Sequence, residues 1–117
     1  MCDKALLNRI LNDFTVRVKK QFGSELKEVI LYGSYARGDY DEESDVDIAI
    51  MLDITHEAAS SSYYRKPVVD ILYEIDQEYG YAVLLSPVIL SFSFFNDWKG
   101  AMPFYQNIER DGVILNA

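Results

Sequence analysis

Two short apolar runs, "VILY" and "IAIML", are separated by a polar stretch that opens on Gly33-Ser34 and closes on Ser44-Asp45-Val46-Asp47. Both runs are rich in β-branched residues and too short for free-standing helices, so both read as buried strands. A glycine directly after the first strand lets the backbone pass close to a ligand, and the serine adds a hydroxyl and an N–H beside it. In the second strand, read as Asp45–Leu52, alternation places Asp45, Asp47, Ala49 and Met51 on one face and Val46, Ile48, Ile50 and Leu52 on the other. The two carboxylates then project to the same side, with Cα atoms about 6.5 to 7 Å apart. That arrangement suits a pair of divalent cations bridging to a triphosphate, so the stretch supplies a phosphate cradle and a metal clamp together.

The remaining chain supplies a frame for this stretch. From Asp3 to Phe22, Leu6, Leu7, Ile10, Leu11, Phe14, Val18 and Phe22 recur at helical spacing, with Asp3 as the expected cap and Gly23 as the stop. "KEVILYG" is the first strand, and Ser34 to Ser44 reads as a short helical turn followed by a loop. A polar segment, 53–62, leads to a helix expected from about Tyr64 to Tyr79, with Pro67 in its first turn and Val68, Val69, Leu72, Ile75 and Tyr79 facing inward. "YAVLLSPVILSF" reads as a third strand that bends or runs at an edge after Pro87. Two short helical pieces follow, the second opened by Pro103 and closed by Gly112. The order α-β-α-β-α-β-α predicts an α/β (α+β) fold, a small mixed sheet with helices packed on it.

Length and charge narrow the possible partners. With 117 residues, half of them hydrophobic, the chain suits one domain spanning 1–117. Eleven basic and nineteen acidic residues leave a net charge of −8, which disfavours broad nucleic-acid binding and fits a basic protein partner or a metal-shielded anionic ligand. There is neither a leader-like N-terminus nor an apolar run of about 18 residues, so a soluble, cytoplasmic protein is expected, away from membranes. Cys2 is the only cysteine and reads as an incidental terminal residue.

Gly33-Ser34-Tyr35-Ala36-Arg37-Gly38 followed by Ser44-Asp45-Val46-Asp47 resembles the signature of the nucleotidyltransferase superfamily that includes DNA polymerase β, and most closely its minimal nucleotidyltransferase branch. The resemblance runs over nearly the whole chain. It implies that Gly33 and Ser34 hold nucleotide phosphates and that Asp45 and Asp47 are catalytic ligands of a two-metal Mg²⁺ site. Ser44 and Arg37 would complete the nucleotide contacts, and Arg37 reads equally well as a solvent-exposed turn residue. ATP is the implied substrate, with AMP passed to a hydroxyl. The branch also implies a partner, a HEPN-type toxin that is silenced either by AMP transfer or by binding alone. A stand-alone modifier of small molecules, of the aminoglycoside type, is a third reading, but no extra domain is present to shape an acceptor pocket.

The sequence departs from the wider superfamily at one place. Active members carry a third carboxylate on the strand after the middle helix, whereas "YGYAVLLSPVILSFSFFN" contains no acid, and Ser86 or a neighbour stands at the expected position. Asp70 on the middle helix is a candidate substitute, although a polar-face role suits it better. His56 reads as a solvated loop residue, not a metal ligand. The nine tyrosines and Trp98 read as core and interface aromatics, and Phe104-Tyr105 as packing of the last helix.

Overall fold

A computed structural model describes residues 3–116, so the expectation for Cys2 falls outside the described residues. Helix α1 (Lys4–Phe22) starts where the Asp3 carboxylate accepts the Leu6 amide at 2.7 Å, and it stops at Gly23. After a 3₁₀ turn, β1 (Leu26–Tyr32) leads through Gly33 into the single helical turn α2 (Ser34–Arg37). Strand β2 (Val46–Leu52) is followed by helix α3 (Ser62–Tyr79) and strand β3 (Leu85–Ser91), then by helices α4 (Phe92–Trp98) and α5 (Pro103–Asp111) and a two-residue strand β4 (Val113–Ile114).

The four strands form one mixed sheet in the order β3-β2-β1-β4. β1 pairs antiparallel with β2 and β4, whereas β2 and β3 are parallel, a pairing that needs the crossover α3 supplies. Each face of the sheet carries its own core. Val46, Ile48, Ile50 and Leu52 of β2 meet Phe14 and Val18 of α1 and Val68, Ile71 and Ile75 of α3. On the opposite face Ala49 and Met51 join Ile30, Leu90, Phe95, Tyr105 and Ile108 beneath α4 and α5. β2 is therefore buried on both sides, as a central strand must be.

Several details differ from the sequence expectations. Asp45 lies just before β2, not within it. α3 starts at Ser62, so Pro67 is its sixth residue instead of part of the first turn. On that helix Ile71 is buried and Val69 is 59% exposed, because the stripe facing α1 and the sheet runs through Val68, Ile71 and Ile75 at alternating three- and four-residue steps. The third strand is shorter than expected, with 81–84 irregular, and β3 lies at the sheet edge over its whole length. Strand β4, which the reading of the chain lacked, pairs Ile114 with Ile30 and Val113 with Leu31. Trp98 is about half exposed, and of the Phe104-Tyr105 pair only Tyr105 is buried. No helix among the described residues is long and apolar enough to cross a membrane.

Candidate functional site

Sheet register brings the polar residues of three strands into one row. Asp47 on β2 lies opposite Tyr32 on β1 and opposite Ser86 on β3. Residues paired in this way point to the same face of a sheet, here the face carrying α4 and α5. The row lies at the end of the sheet where β1 turns into α2 and where β2 begins. Asp45, one alternation earlier, is exposed at the rim.

Gly33 packs directly against this row. Its φ of 77° is left-handed, and a Cβ placed on it would collide with the Asp47 carboxylate, 3.2 Å from Cγ and closer still to Oδ2. The glycine therefore lets the turn lie on the aspartate. Ser34 follows, with its carbonyl accepting the amides of Gly38 at 2.8 Å and Asp39 at 3.1 Å, which closes the turn. The Gly33 turn and the Asp47 carboxylate form one contiguous surface.

The electrostatics of that surface are unbalanced toward negative charge. Burial raises the pKa of Asp47, the nearby Asp45 raises it further, and Arg37 opposes both without cancelling them. Burial and the Asp47 charge together push the Tyr32 phenol up to about 12, so it is a neutral hydroxyl at ordinary pH. Tyr32 also meets Phe104 of α5 edge to face, with centroids 5.8 Å apart. Two close carboxylates with one of them raised in this way fit a divalent cation, which supplies the missing positive charge. Among the described residues no group of three or more His, Cys, Asp or Glu is placed to hold a metal ion, so phosphate oxygens and water would have to complete the coordination.

The other candidates divide clearly. Arg37 is bound on both sides, by Asp39 at 3.1 Å and by Asp111 of α5 at 3.2 Å, so it fastens the turn to the end of α5. Asp111 is held down to about 2 by its hydrogen bonds from Arg110 and Arg37. The Ser44 hydroxyl accepts the Asp41 amide at 3.0 Å and closes the loop before Asp45. Asp70 is exposed in a groove between α1 and α3 beside Gln21, Lys66 and Glu74, not with Asp45 and Asp47. His56 is exposed and stacks on Phe94 at 3.8 Å. Tyr32 and Asp111 escaped the sequence reading. Tyr32 directly precedes Gly33, but only the antiparallel register puts it opposite Asp47.

The sequence profile described as the nucleotidyltransferase domain matches residues 11–112, a span that includes Gly33-Ser34 and both aspartates. The chain belongs to this family. As a nucleotidyltransferase it also resembles several proteins of Methanocaldococcus jannaschii, each provisionally named a protein adenylyltransferase. One is 32% identical over 107 residues, covering 92% of this chain and 95% of that protein. A second is 37% identical over 89 residues, covering 75% of this chain and 57% of that protein. Among solved structures, a provisionally named nucleotidyltransferase from Sulfolobus solfataricus superimposes with a TM-score of 0.57 at 19% identity, covering 94% of this chain and 79% of that one. A mutant of the MntA–HpeT toxin–antitoxin superimposes with a TM-score of 0.50 at 14% identity, covering 88% and 70%. Both structural likenesses show the fold of this nucleotidyltransferase. The nucleotidyltransferase family also makes the chain an enzyme by type.

Proposed function

We propose that this nucleotidyltransferase transfers AMP from ATP to a hydroxyl on a partner toxin of the HEPN type, and so acts as an antitoxin in the cytoplasm. The observation that carries the reading is the packing of Gly33 on Asp47, which joins a phosphate cradle to a carboxylate pair in a member of this family. The names of the M. jannaschii relatives support AMP and a protein acceptor, and the toxin–antitoxin likeness supports the kind of partner. A net charge of −8 suits a basic, RNA-cutting surface.

In this reading Gly33 and Ser34 hold the β- and γ-phosphates, with Ser44 keeping the loop before Asp45 closed. Asp45 and Asp47 would hold Mg²⁺, which when bound neutralises the triphosphate and polarises the α-phosphorus. Arg37 stands at the rim and would reach a phosphate only by exchanging Asp39 or Asp111 for it. The acceptor oxygen bonds to the α-phosphorus as the bond to the oxygen bridging the α- and β-phosphates breaks. Pyrophosphate leaves, and the hydroxyl proton passes to solvent, since the row offers Ser86 and not a third acid.

That same serine favours a second reading, in which the protein binds nucleotide and neutralises its partner by contact, with little turnover. Positioned proton transfer contributes roughly 10²- to 10⁴-fold, so its absence leaves catalysis dependent on how well the partner presents its hydroxyl. Intact-mass measurement of the toxin after incubation with this protein, ATP and Mg²⁺ separates the two. A gain of AMP, lost on Asp45→Asn or Asp47→Asn, is expected, whereas an inhibited but unmodified toxin would leave the binding reading.

A further inference from the structure

The last residue of α5 runs against ordinary helix electrostatics. Asp111 sets a carboxylate at the negative end of the helix dipole, where a cation is favoured. Its side chain is only 9% exposed there. Arg110 grips it side-on, from Nε to Oδ1 at 2.9 Å and from Nη2 to Oδ2 at 3.0 Å, and Arg37 donates to the same Oδ2 at 3.2 Å. The residues that follow fix its place. A Cβ on Gly112 would collide with the Ile108 carbonyl and the Ile30 side chain, so the end of α5 rests directly on β1, and β4 then pairs with β1.

Arg37 thus has two unlike partners. Asp39 lies two residues away at the start of the exposed loop, and its side chain is 62% exposed. Asp111 belongs to the packed layer on the Asp47 face of the sheet, where Phe104 of the same helix meets Tyr32. Water competes for the first contact far more than for the second. Arg37 is also near enough to act on the carboxylates. Burial and Asp45 raise the Asp47 pKa, and the Arg37 charge works against both. An incoming anion therefore displaces Asp39 more readily than Asp111.

We propose that Asp111 is a positioning residue for the triphosphate, holding Arg37 beside the Gly33-Ser34 turn while a phosphate takes the place of Asp39 on the guanidinium. The proposal rests on the nucleotide-site reading above and adds a residue of α5 to that site. Asp111 touches no phosphate itself. A guanidinium already held by a fixed acid loses less side-chain freedom on binding than a loose one, and the released Asp39 is solvated by water.

Calorimetry on the full chain with Mg·ATP and with Mg·tripolyphosphate tests it. Asp39→Asn and Asp111→Asn each remove one negative charge, so a general charge effect would tighten anion binding in both. The positioning role instead requires opposite signs. Asp39→Asn is expected to bind either ligand about two- to threefold more tightly, and Asp111→Asn about tenfold more weakly. In an Arg37→Ala background Asp111→Asn should cause no further loss, which separates action through Arg37 from damage to packing. Thermal unfolding verifies that each variant is folded. Asp39 is exposed, so its variant keeps the fold, and weaker or unchanged binding there would by itself overturn the exchange. Unchanged or tighter binding in Asp111→Asn, a loss that persists undiminished without Arg37, or a loss confined to ATP would overturn the positioning role while leaving the Asp45 and Asp47 clamp intact. A wild-type protein that binds neither ligand would overturn the nucleotide-site reading and this one with it.

Discussion

Gly33 illustrates how one residue can be constrained twice. Its positive φ excludes most side chains, and the space a Cβ would take is occupied by Asp47. Gly33→Ala is therefore expected to destabilise the protein by about 1–3 kcal/mol in chemical denaturation and to weaken Mg·ATP binding measured by calorimetry. Unchanged values for both would mean that the turn does not rest on the aspartate. Asp47 leads to a second expectation, with a definite sign. Its folded pKa is raised above the unfolded value, so its ionised form opposes folding at neutral pH, and the penalty disappears as pH falls through the raised pKa toward the unfolded one. In metal-free buffer Asp47→Asn should then melt at the same temperature as the wild type or higher. Added Mg²⁺ should raise the melting temperature of the wild type and leave Asp45→Asn/Asp47→Asn unmoved. A double variant that gains as much from Mg²⁺ as the wild type would refute the carboxylate clamp.

At the level of elements, α1 and α3 are joined by more than their apolar stripes. Asp13 accepts the Arg17 Nε at 2.7 Å and the Tyr79 hydroxyl at 2.9 Å, and Arg17 reaches on to Glu78 in the last turn of α3. Burial alone would raise the Asp13 pKa, but the hydrogen bonds from Arg17 and Tyr79 lower it overall. A carboxyl with a depressed folded pKa adds stability above its unfolded pKa and loses it as pH falls through the folded value. Asp13→Asn should cost about 1 kcal/mol at neutral pH, discounted for the partial exposure of the group, and the gap should close in acid. Urea unfolding at the two pH values checks this, and a gap that persists in acid would place the effect in packing, not charge. α5 is fastened in a similar way, where Asp111 accepts from Arg37 and Arg110. That pairing links the last helix to the turn that carries Ser34.

Across the whole molecule, the row of Tyr32, Asp47 and Ser86 exists only because three strands contribute to it. Ser86 faces the same side as Asp47 from the neighbouring parallel strand. Ser86→Asp would add a third carboxylate to a surface that already carries uncompensated charge. The variant should melt lower than the wild type without metal, recover with Mg²⁺, and, under the proposed function, raise AMP transfer to the toxin. No change in either quantity would place the third-carboxylate position elsewhere. The acidic balance of the molecule bears on association as well. Binding to a basic partner should slow steeply as ionic strength rises, because steering between opposite charges is screened over about 10 Å at 0.1 M salt. Stopped-flow association at several salt concentrations measures that slope.

What could be read from sequence was what depends on near neighbours in the chain. Asp3 capping α1 and Gly33 ending β1 follow from spacings of a few residues, within which helix and strand geometry leave little choice. The two-residue β4 was missed because so short a pair of apolar residues has no period to detect. Val69 and Ile71 exchanged places because the inward stripe of α3 depends on how the helix is rolled against α1 and the sheet. Asp70 likewise faces a groove that only that packing defines. The Tyr32-Asp47-Ser86 row, the bond from Arg37 to Asp111, and the approach of Tyr81 and Leu84 to Asp45 join residues far apart in sequence. Their proximity is set by strand order and register, which the burial of both faces of β2 decides over the whole chain at once and which no local pattern encodes.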